Sequence, residues 1–394
     1  MHTLSNYDKQ TLIELSKRGI SFAFNTLKLL DNNNNVVSPF SIIQVLMLAM
    51  NATNGTSQEE IRKLLNVSNY SLSELNISYF NILKMLTERT RRDKISIANL
   101  ILNKEGFNLL PEYKSLCKEI YEANISTLDN AQQINSWCSQ KTNGQINNII
   151  TDEELAQTIC TFLNATSFEA KWYSEFNAEN NILLPFTDIN GIEKKIVMMS
   201  ADMGRYGYFF NDEVFILELP YRNYDSSMIL FMPNYSNGYN LNSLIGSLTF
   251  ERWDNWRNHM EYSEFDELRI PKFKIEKQIN LKNTLNTLGV NDIFNPCADF
   301  SGMTTNKLFV DNIIQKACIE VNEEGTKAAA VTMMSMDSCI PDKAPKPRLV
   351  INRPFMYFII DNNTDSILFI GKIVDSNCME TTIKELPNQF SELL

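Results

Sequence analysis

Glu320-Val-Asn-Glu-Glu-Gly-Thr-Lys-Ala-Ala-Ala-Val-Thr332, running on as Met333-Met-Ser-Met-Asp-Ser-Cys-Ile-Pro-Asp-Lys343, is the stretch on which the reading of this chain turns. A strand-like apolar approach from Lys316 to Val321 meets acids, a glycine, and then small residues ending in β-branched ones. No helical periodicity is sustained from Ala328 to Lys343, and Pro341, Pro345 and Pro347 interrupt the far end. A connection this long without secondary structure of its own is unusual inside a compact unit, and is commonly functional or disordered. Read as a latent strand with a period of two, it puts Thr326, Ala328, Ala330 and Thr332 on one face. Lys327, Ala329, Val331 and Met333 fall on the other. The first face is small and uncharged; the second carries the only charge, where water can keep it solvated. Gly325 at the near end permits the backbone angles a hinge needs. A mobile surface loop rich in alanine fits the same residues, and pattern alone leaves both readings open.

At 394 residues the chain is long enough for two or three domains, although single units of this size occur. Its 44% hydrophobic and 21% charged fractions are ordinary for a soluble globular chain with a sizeable core. A net charge of −11 argues against nucleic acid as a partner, and no apolar run reaches membrane-spanning length. The amino terminus, Met1-His-Thr-Leu-Ser-Asn-Tyr-Asp-Lys-Gln10, lacks an apolar core followed by a small-residue cleavage site. A cytoplasmic protein is therefore favoured over one whose signal was removed or one exported without a signal. The seven cysteines are scattered with no C-x-x-C pair, which reads as reduced thiols rather than a disulfide framework or metal site. The sequons at Asn51, Asn66 and Asn164 are what an asparagine-rich chain produces by chance.

Nothing in the chain suggests an enzyme. A hydrolase needs a nucleophile with a base in reach, and the histidines are His2 and His259 alone, with no nucleophile-elbow or metal-ligand spacing. Trp253, Trp256 and His259 share one predicted helix and read as structural or partner-facing. No cofactor and no metal are expected.

Along the chain, residues 8–30 have the spacing of an amphipathic helix, broken by Asp31-Asn-Asn-Asn-Asn35. Val36-Val-Ser-Pro-Phe-Ser-Ile42 enters a second helix through Met50. Asn54-Gly-Thr-Ser-Gln-Glu-Glu-Ile61 starts a third, with Thr56 or Ser57 as cap. Residues 72–92 predict a helix ending in Arg89, Arg91, Arg92 and Lys94, cations that complement a helix carboxyl end. A strand over Ser96 to Asn103 and a helix over Leu109 to Ala123 follow. Ile134-Asn-Ser-Trp-Cys-Ser-Gln-Lys-Thr-Asn-Gly-Gln-Ile-Asn-Asn148 reads as a helix with Gly144 at its carboxyl cap. Thr161-Phe-Leu-Asn-Ala-Thr-Ser-Phe-Glu-Ala-Lys-Trp172 has the pattern of a buried strand, and two short apolar strands, Val214 to Tyr221 and Ser227 to Pro233, come later.

The residues from Glu323 to Ala330 resemble the reactive-loop hinge of the serpins. So do Asp299-Phe-Ser-Gly-Met303 and Ala317-Cys-Ile-Glu-Val-Asn322 upstream, and Asn352-Arg-Pro-Phe-Met-Tyr-Phe-Ile-Ile360 and Ile367-Leu-Phe-Ile-Gly-Lys-Ile-Val374 downstream. The Val36–Ile42, Asn54–Ile61, Ile134–Asn148 and Thr161–Trp172 stretches resemble the family too, closest in character to its intracellular ovalbumin-type inhibitory members. This resemblance implies an α+β fold in one unit over residues 1–375, with three β-sheets, about nine helices and an exposed reactive-centre loop at about 323–347. Residues 376–394 run beyond the usual family end and read as a loosely held tail.

It further implies a loop hinge at Glu323, Glu324, Gly325, Thr326, Lys327, Ala328, Ala329 and Ala330, and a sheet-opening region of Ser38, Ser41, Asn164, Trp172 and Gln315. Gln315 stands where most members have a histidine. Its amide supplies both donor and acceptor, so the polar cluster survives without a titratable group. The implied activity is irreversible suicide-substrate inhibition of a serine protease, a cysteine protease being the lesser option. The loop is cleaved, the protease is trapped as its acyl-enzyme, and the freed strand inserts into the main sheet.

Counting seventeen residues from Glu323 lands on Cys339, so the reactive bond is expected at Cys339-Ile340. Such a bond, or Met336 or Ser338 if the register slips, suits a chymotrypsin- or elastase-like apolar pocket; Lys343-Ala344 would suit a trypsin-like one. A non-inhibitory carrier or chaperone is the alternative. The expected partner is a target protease in a covalent complex with a monomer. Glycosaminoglycan binding at the Arg89–Lys94 neighbourhood is the less favoured reading of those cations.

Overall fold

The computed structural model describes residues 6–89, 94–104, 106–127, 130–201, 204–326 and 345–383. Among these are ten α-helices and three β-sheets, the α+β architecture that the resemblance implies.

The apolar run Phe355–Asp361 is buried at every position, and so are Ser366–Ile373 and Ser226–Pro233 beside it. Strands without in–out alternation must be covered on both faces. These three form the middle of a seven-stranded antiparallel sheet that also takes in Asn35–Val37, Val214–Pro220, Tyr206–Phe210 and Glu261–Ser263. Phe358 anchors one side of it. Its ring lies 5.0 Å from those of Phe231 and Trp253 and 6.0 Å from Phe24. Trp253 and Trp256 on the helix Phe250–Asn258 are thus core residues, while His259 caps that helix with its Nδ1 2.8 Å from the Asn255 carbonyl oxygen.

A second, six-stranded sheet runs in the spatial order Phe273–Asn280, Asn312–Val321, Gly325–Thr326, Cys160–Lys171, Lys94–Asn103, Asn124–Thr127. Helix Pro39–Ala52 lies between the two sheets. Ser38 caps it, Pro39 opens it, and all but one of its residues are buried. On its outer face the six-stranded sheet is covered by the helix Ala131–Lys141. Ile134 and Cys138 pack there with Leu100, Leu102, Leu163, Ala165, Ile314 and Cys318 as a separate core. That helix ends with Asn143 in the left-handed region (φ 52°) and with the Gly144 amide returned to Ser139 O at 2.8 Å. Thr142 is the cap residue, and Asn143 and Gly144 (φ 76°) after it are both left-handed. A four-stranded sheet, Arg348–Val350, Glu267–Pro271, Glu193–Ser200 and Ile182–Thr187, closes the top.

Three sequence expectations are corrected. Helix Gly55–Leu64 is preceded by Asn54 as its cap residue, while Ser57 turns its hydroxyl to Asp292 and accepts the Asp299 amide. The helix expected from Leu109 is shorter, Pro111–Glu119, because proline sets its first turn and the Ala123 amide folds back to Cys117 O. Finally, the described first part of the expected tail, residues 376–383, is held rather than loose. Lys274 N donates to Cys378 O, Val197 N donates to Glu380 O (both 2.8 Å), and Met379 is buried against Phe273.

Removing the Phe358 ring should leave a cavity that its aromatic neighbours cannot fill. Phe358→Ala is expected to cost about 3–5 kcal/mol, read as a lower urea midpoint at unchanged slope.

Candidate functional site in the six-stranded sheet

Asn312–Cys318 and Thr161–Ser167 pair directly and in parallel, Gln315 opposite Asn164. Above that ladder the two strands diverge, and Gly325–Thr326 sits between them, antiparallel to both: Thr326 faces Val321 on one side and Ala170 on the other. Any further residue following Thr326 into the sheet would have to part the ladder below.

The wedge is made by a tight reversal. The Asn322 side-chain oxygen accepts from Glu324 N and Gly325 N at 3.1 and 3.2 Å, and Asn322 N donates to Gly325 O at 2.9 Å. Gly325 has φ +155°, and a Cβ there would stand 2.7 Å from Lys171 Cα and collide with the Ala170 carbonyl oxygen. Only glycine lets the backbone pass so close. Thr326 is fully buried, its hydroxyl 2.8 Å from Tyr221 Oη. Tyr221 stacks on Trp172 with ring centroids 4.6 Å apart and 8° between planes. Trp172 then holds the reversal twice, Nε1 donating to Asn322 O at 2.8 Å and its amide to Glu324 O at 2.9 Å. Phe176 N adds a bond to Glu323 O at 2.8 Å.

Charges fix the outside of the turn. Lys272 Nζ lies 2.9 Å from Glu323 and 3.1 Å from Glu380, and Asn181 donates to Glu323 as well. Lys171 is shared between Glu324 at 3.9 Å and Glu175 at 3.6 Å. Burial pushes the Glu323 carboxyl up, but the Asn181 and Lys272 hydrogen bonds and the Lys272 charge outweigh it and leave it below its ordinary 4.5. Burial likewise opposes charge on Lys272, and its two carboxylates more than restore it. Glu324 goes the other way: burial and the nearby Glu175 and Glu323 raise it against Lys171. A depressed carboxyl stabilises the folded arrangement above its unfolded value, and that is lost as pH falls through the lower folded value. A raised lysine stabilises below its unfolded value, and that is lost as pH rises through the higher folded one. The Lys272–Glu323 pair is therefore intact across the neutral range.

Beneath the wedge, amides cross the sheet. Gln315 accepts from Ser38 N at 2.8 Å and donates to Ser38 O at 3.0 Å and to Asn164 Oδ1 at 2.9 Å. Asn164 donates to Asn99 at 2.8 Å, and Asn99 to Gln44 at 3.2 Å. Ser38 Oγ donates to Leu368 O at 2.6 Å and stands 3.0 Å from Ser41 Oγ. All of these residues are buried. A buried Asn164 is no glycosylation acceptor.

The structure thus brings Ser38, Ser41, Asn164 and Gln315 together in one cluster, and Trp172 together with Glu323, Glu324, Gly325 and Thr326 in another. Lys327, Ala328, Ala329, Ala330, Met336, Ser338, Cys339, Ile340, Lys343 and Ala344 lie outside the described residues, as do Arg91 and Arg92. Sequence reading missed Gln44, Asn99, Tyr221, Lys272 and Glu380. Asn99 alone had a signal, an amide in the middle of the apolar run Ser96 to Leu102. Among the described residues no group of three His, Cys, Asp or Glu could hold a metal, and no helix is long and apolar enough to cross a membrane.

A family model described as Serpin (serine protease inhibitor) matches residues 18–376. The chain belongs to the serpin family. Human Serpin B3 is 31% identical over 365 residues, covering 86% of this chain and 93% of that protein. Leukocyte elastase inhibitor of Xenopus laevis is 31% identical over 380 residues, covering 91% and 98%. The crystal structure of the thermophilic serpin Tengpin in its native state superposes with a TM-score of 0.84 at 26% identity, over 95% of each chain. The family is described by protease inhibition, and relatives such as leukocyte elastase inhibitor are named for it, so a protease is the partner that membership implies.

In this serpin Gln315→Leu would strand Ser38 N and Asn164 Oδ1 in a buried site, while Ser38 O keeps the Ile42 amide. A loss of about 2–4 kcal/mol is expected, measured by urea unfolding. Gly325→Ala should cost about 1–3 kcal/mol through overpacking against Ala170, read as a lower thermal midpoint.

Proposed function

We propose that this serpin is an irreversible suicide-substrate inhibitor of a serine endopeptidase with an apolar, chymotrypsin- or elastase-like pocket. One observation carries the reading: Thr326 already stands as a strand residue between Val321 and Ala170. The alternate residues that follow it in sequence, Ala328, Ala330 and Thr332, are small and uncharged. Gly325 is then the hinge of a loop spanning 323–347, and Ser38, Ser41, Asn164, Trp172 and Gln315 are the sheet-opening region.

The protease's serine attacks the Cys339 carbonyl, the Cys339–Ile340 bond breaks, and the new amine at Ile340 leaves with its proton. The acyl-enzyme remains attached to Cys339. Residues after Thr326 then part the Asn312–Cys318 and Thr161–Ser167 ladder and carry the protease along before water can release it. Insertion races deacylation, so an inward charge would slow it, because burying an unpaired charge costs several kcal/mol. None is present from Thr326 to Thr332 on that face. The name leukocyte elastase inhibitor, borne by a relative 31% identical to this chain, agrees in target class. In this reading the inhibitory unit is 1–375 with 376–394 appended, and the protein is a cytoplasmic monomer that needs no glycosaminoglycan.

The protein mixed with chymotrypsin, elastase and trypsin is expected to give an SDS-stable complex with one of the first two and a released fragment beginning at Ile340. A complex with trypsin alone and a fragment from Ala344 would move the bond to Lys343-Ala344. Cleavage with no complex, and no gain in thermal stability afterwards, would overturn inhibition in favour of a carrier or chaperone.

A further inference from the structure

Past residue 376, where the family match ends, the described residues as far as Glu380 stay bound to the structure. Asn34 starts this. Its Oδ1 accepts from Val374 N and Asp375 N at 2.7 and 3.1 Å, and its Nδ2 donates to Asp375 Oδ1 at 2.7 Å. Asp375 Oδ1 also accepts from Asn377 N at 2.8 Å, which turns the chain. Cys378 and Glu380 then span two sheets with their carbonyls. Cys378 O takes Lys274 N from the edge strand of the six-stranded sheet, and Glu380 O takes Val197 N from the four-stranded one. This docking leaves the Glu380 carboxylate 3.1 Å from Lys272, whose other partner at 2.9 Å is Glu323, two residues ahead of Gly325. The side chains of Lys272 and Glu323 are only 14% and 13% exposed. A single, largely covered ammonium therefore joins the carboxyl-terminal segment to the turn that holds Thr326 in the sheet.

We propose that Cys378–Glu380 is a latch on the hinge, with Glu380 a positioning residue that acts through Lys272 on Glu323. This rests on the reading of Gly325 as a hinge. With both carboxylates in place the long lysine side chain is fixed from two sides. Without Glu380 it regains rotamer freedom, and the Glu323 end of the reversal loosens with it. The carbonyls of Glu323 and Glu324 accept the Phe176 and Trp172 amides, so those two amides report the latch directly. Detaching the segment would thus change how far Thr326 is held in the sheet while the core strands stay as they are.

The test is amide hydrogen exchange on the full chain, read over Trp172–Phe176 and, as a control, over Phe355–Asp361. Glu380→Ala is expected to speed exchange at Trp172 and Phe176 by about threefold or more, the scale of a partly exposed ion pair, and to leave the control strand unchanged. Glu380→Gln, which keeps an acceptor for the ammonium, should fall between. In a Lys272→Met background Glu380→Ala should add nothing. Unchanged exchange in folded Glu380→Ala, or the same increment with Lys272 absent, would overturn the latch. Complex formation with protease is scored separately on the unaltered protein. Failure there would remove the inhibitory reading and leave the exchange result standing.

Discussion

The arrangement depends on one pairing that is complete in itself, the parallel ladder of Asn312–Cys318 on Thr161–Ser167. A parallel ladder buried on both faces leaves no backbone group for water, so it opens only if another strand takes over its hydrogen bonds. Gln315 and Asn164, directly opposite each other, tie it further by side chain, and Ser38 ties Gln315 to the helix behind. Neither amide titrates, so the strength of this link does not vary with pH as a histidine link would.

Against that closed ladder stands the wedge above it. Gly325–Thr326, the shortest of the sheet's six strands, pairs with the strands on both sides, and its advance stops where the ladder starts. The surroundings favour this position. The Thr326 hydroxyl meets Tyr221, Trp172 binds both Asn322 and Glu324, and a side chain at Gly325 would not fit. Below, Thr161 Oγ1, Thr166 Oγ1 and Gln44 Nε2 are buried without a protein partner. Buried polar groups left unpaired are costly, so the sheet carries unmet hydrogen-bonding capacity near the seam. The proposed insertion would use that seam, and serpin membership is consistent with it.

Electrostatics add little to the core and much to the turn. Most ion pairs here are half-exposed, where each contributes modestly. The Glu323–Lys272–Glu380 group differs because Lys272 and Glu323 are nearly covered and their partners come from three distant parts of the chain. It joins the strand edge at Phe273, the Asn322 reversal and the carboxyl-terminal segment.

Much of this was legible in the residues alone. Apolar runs without alternation gave the buried strands, Ser38-Pro39 the start of the central helix, and the Glu323–Thr332 pattern a latent strand with a glycine at its base. Local chemistry decides such features, because caps, breaks and periodicity act over a few residues. The partners of Gln315, at residues 38 and 164, were by contrast expected only through the family resemblance, and those of Lys272, at 323 and 380, had nothing local to announce them. For the same reason Asp31-Asn-Asn-Asn-Asn35 read only as a helix breaker, although Asn34 clamps Val374 and Asp375. The carboxyl-terminal residues, polar and low in periodicity, read as a tail. The sequence by itself determined the elements, the buried strands and the latent strand; only the tertiary structure decided which polar groups face one another, because hydrogen bonds and ion pairs form across space that no sequence interval records.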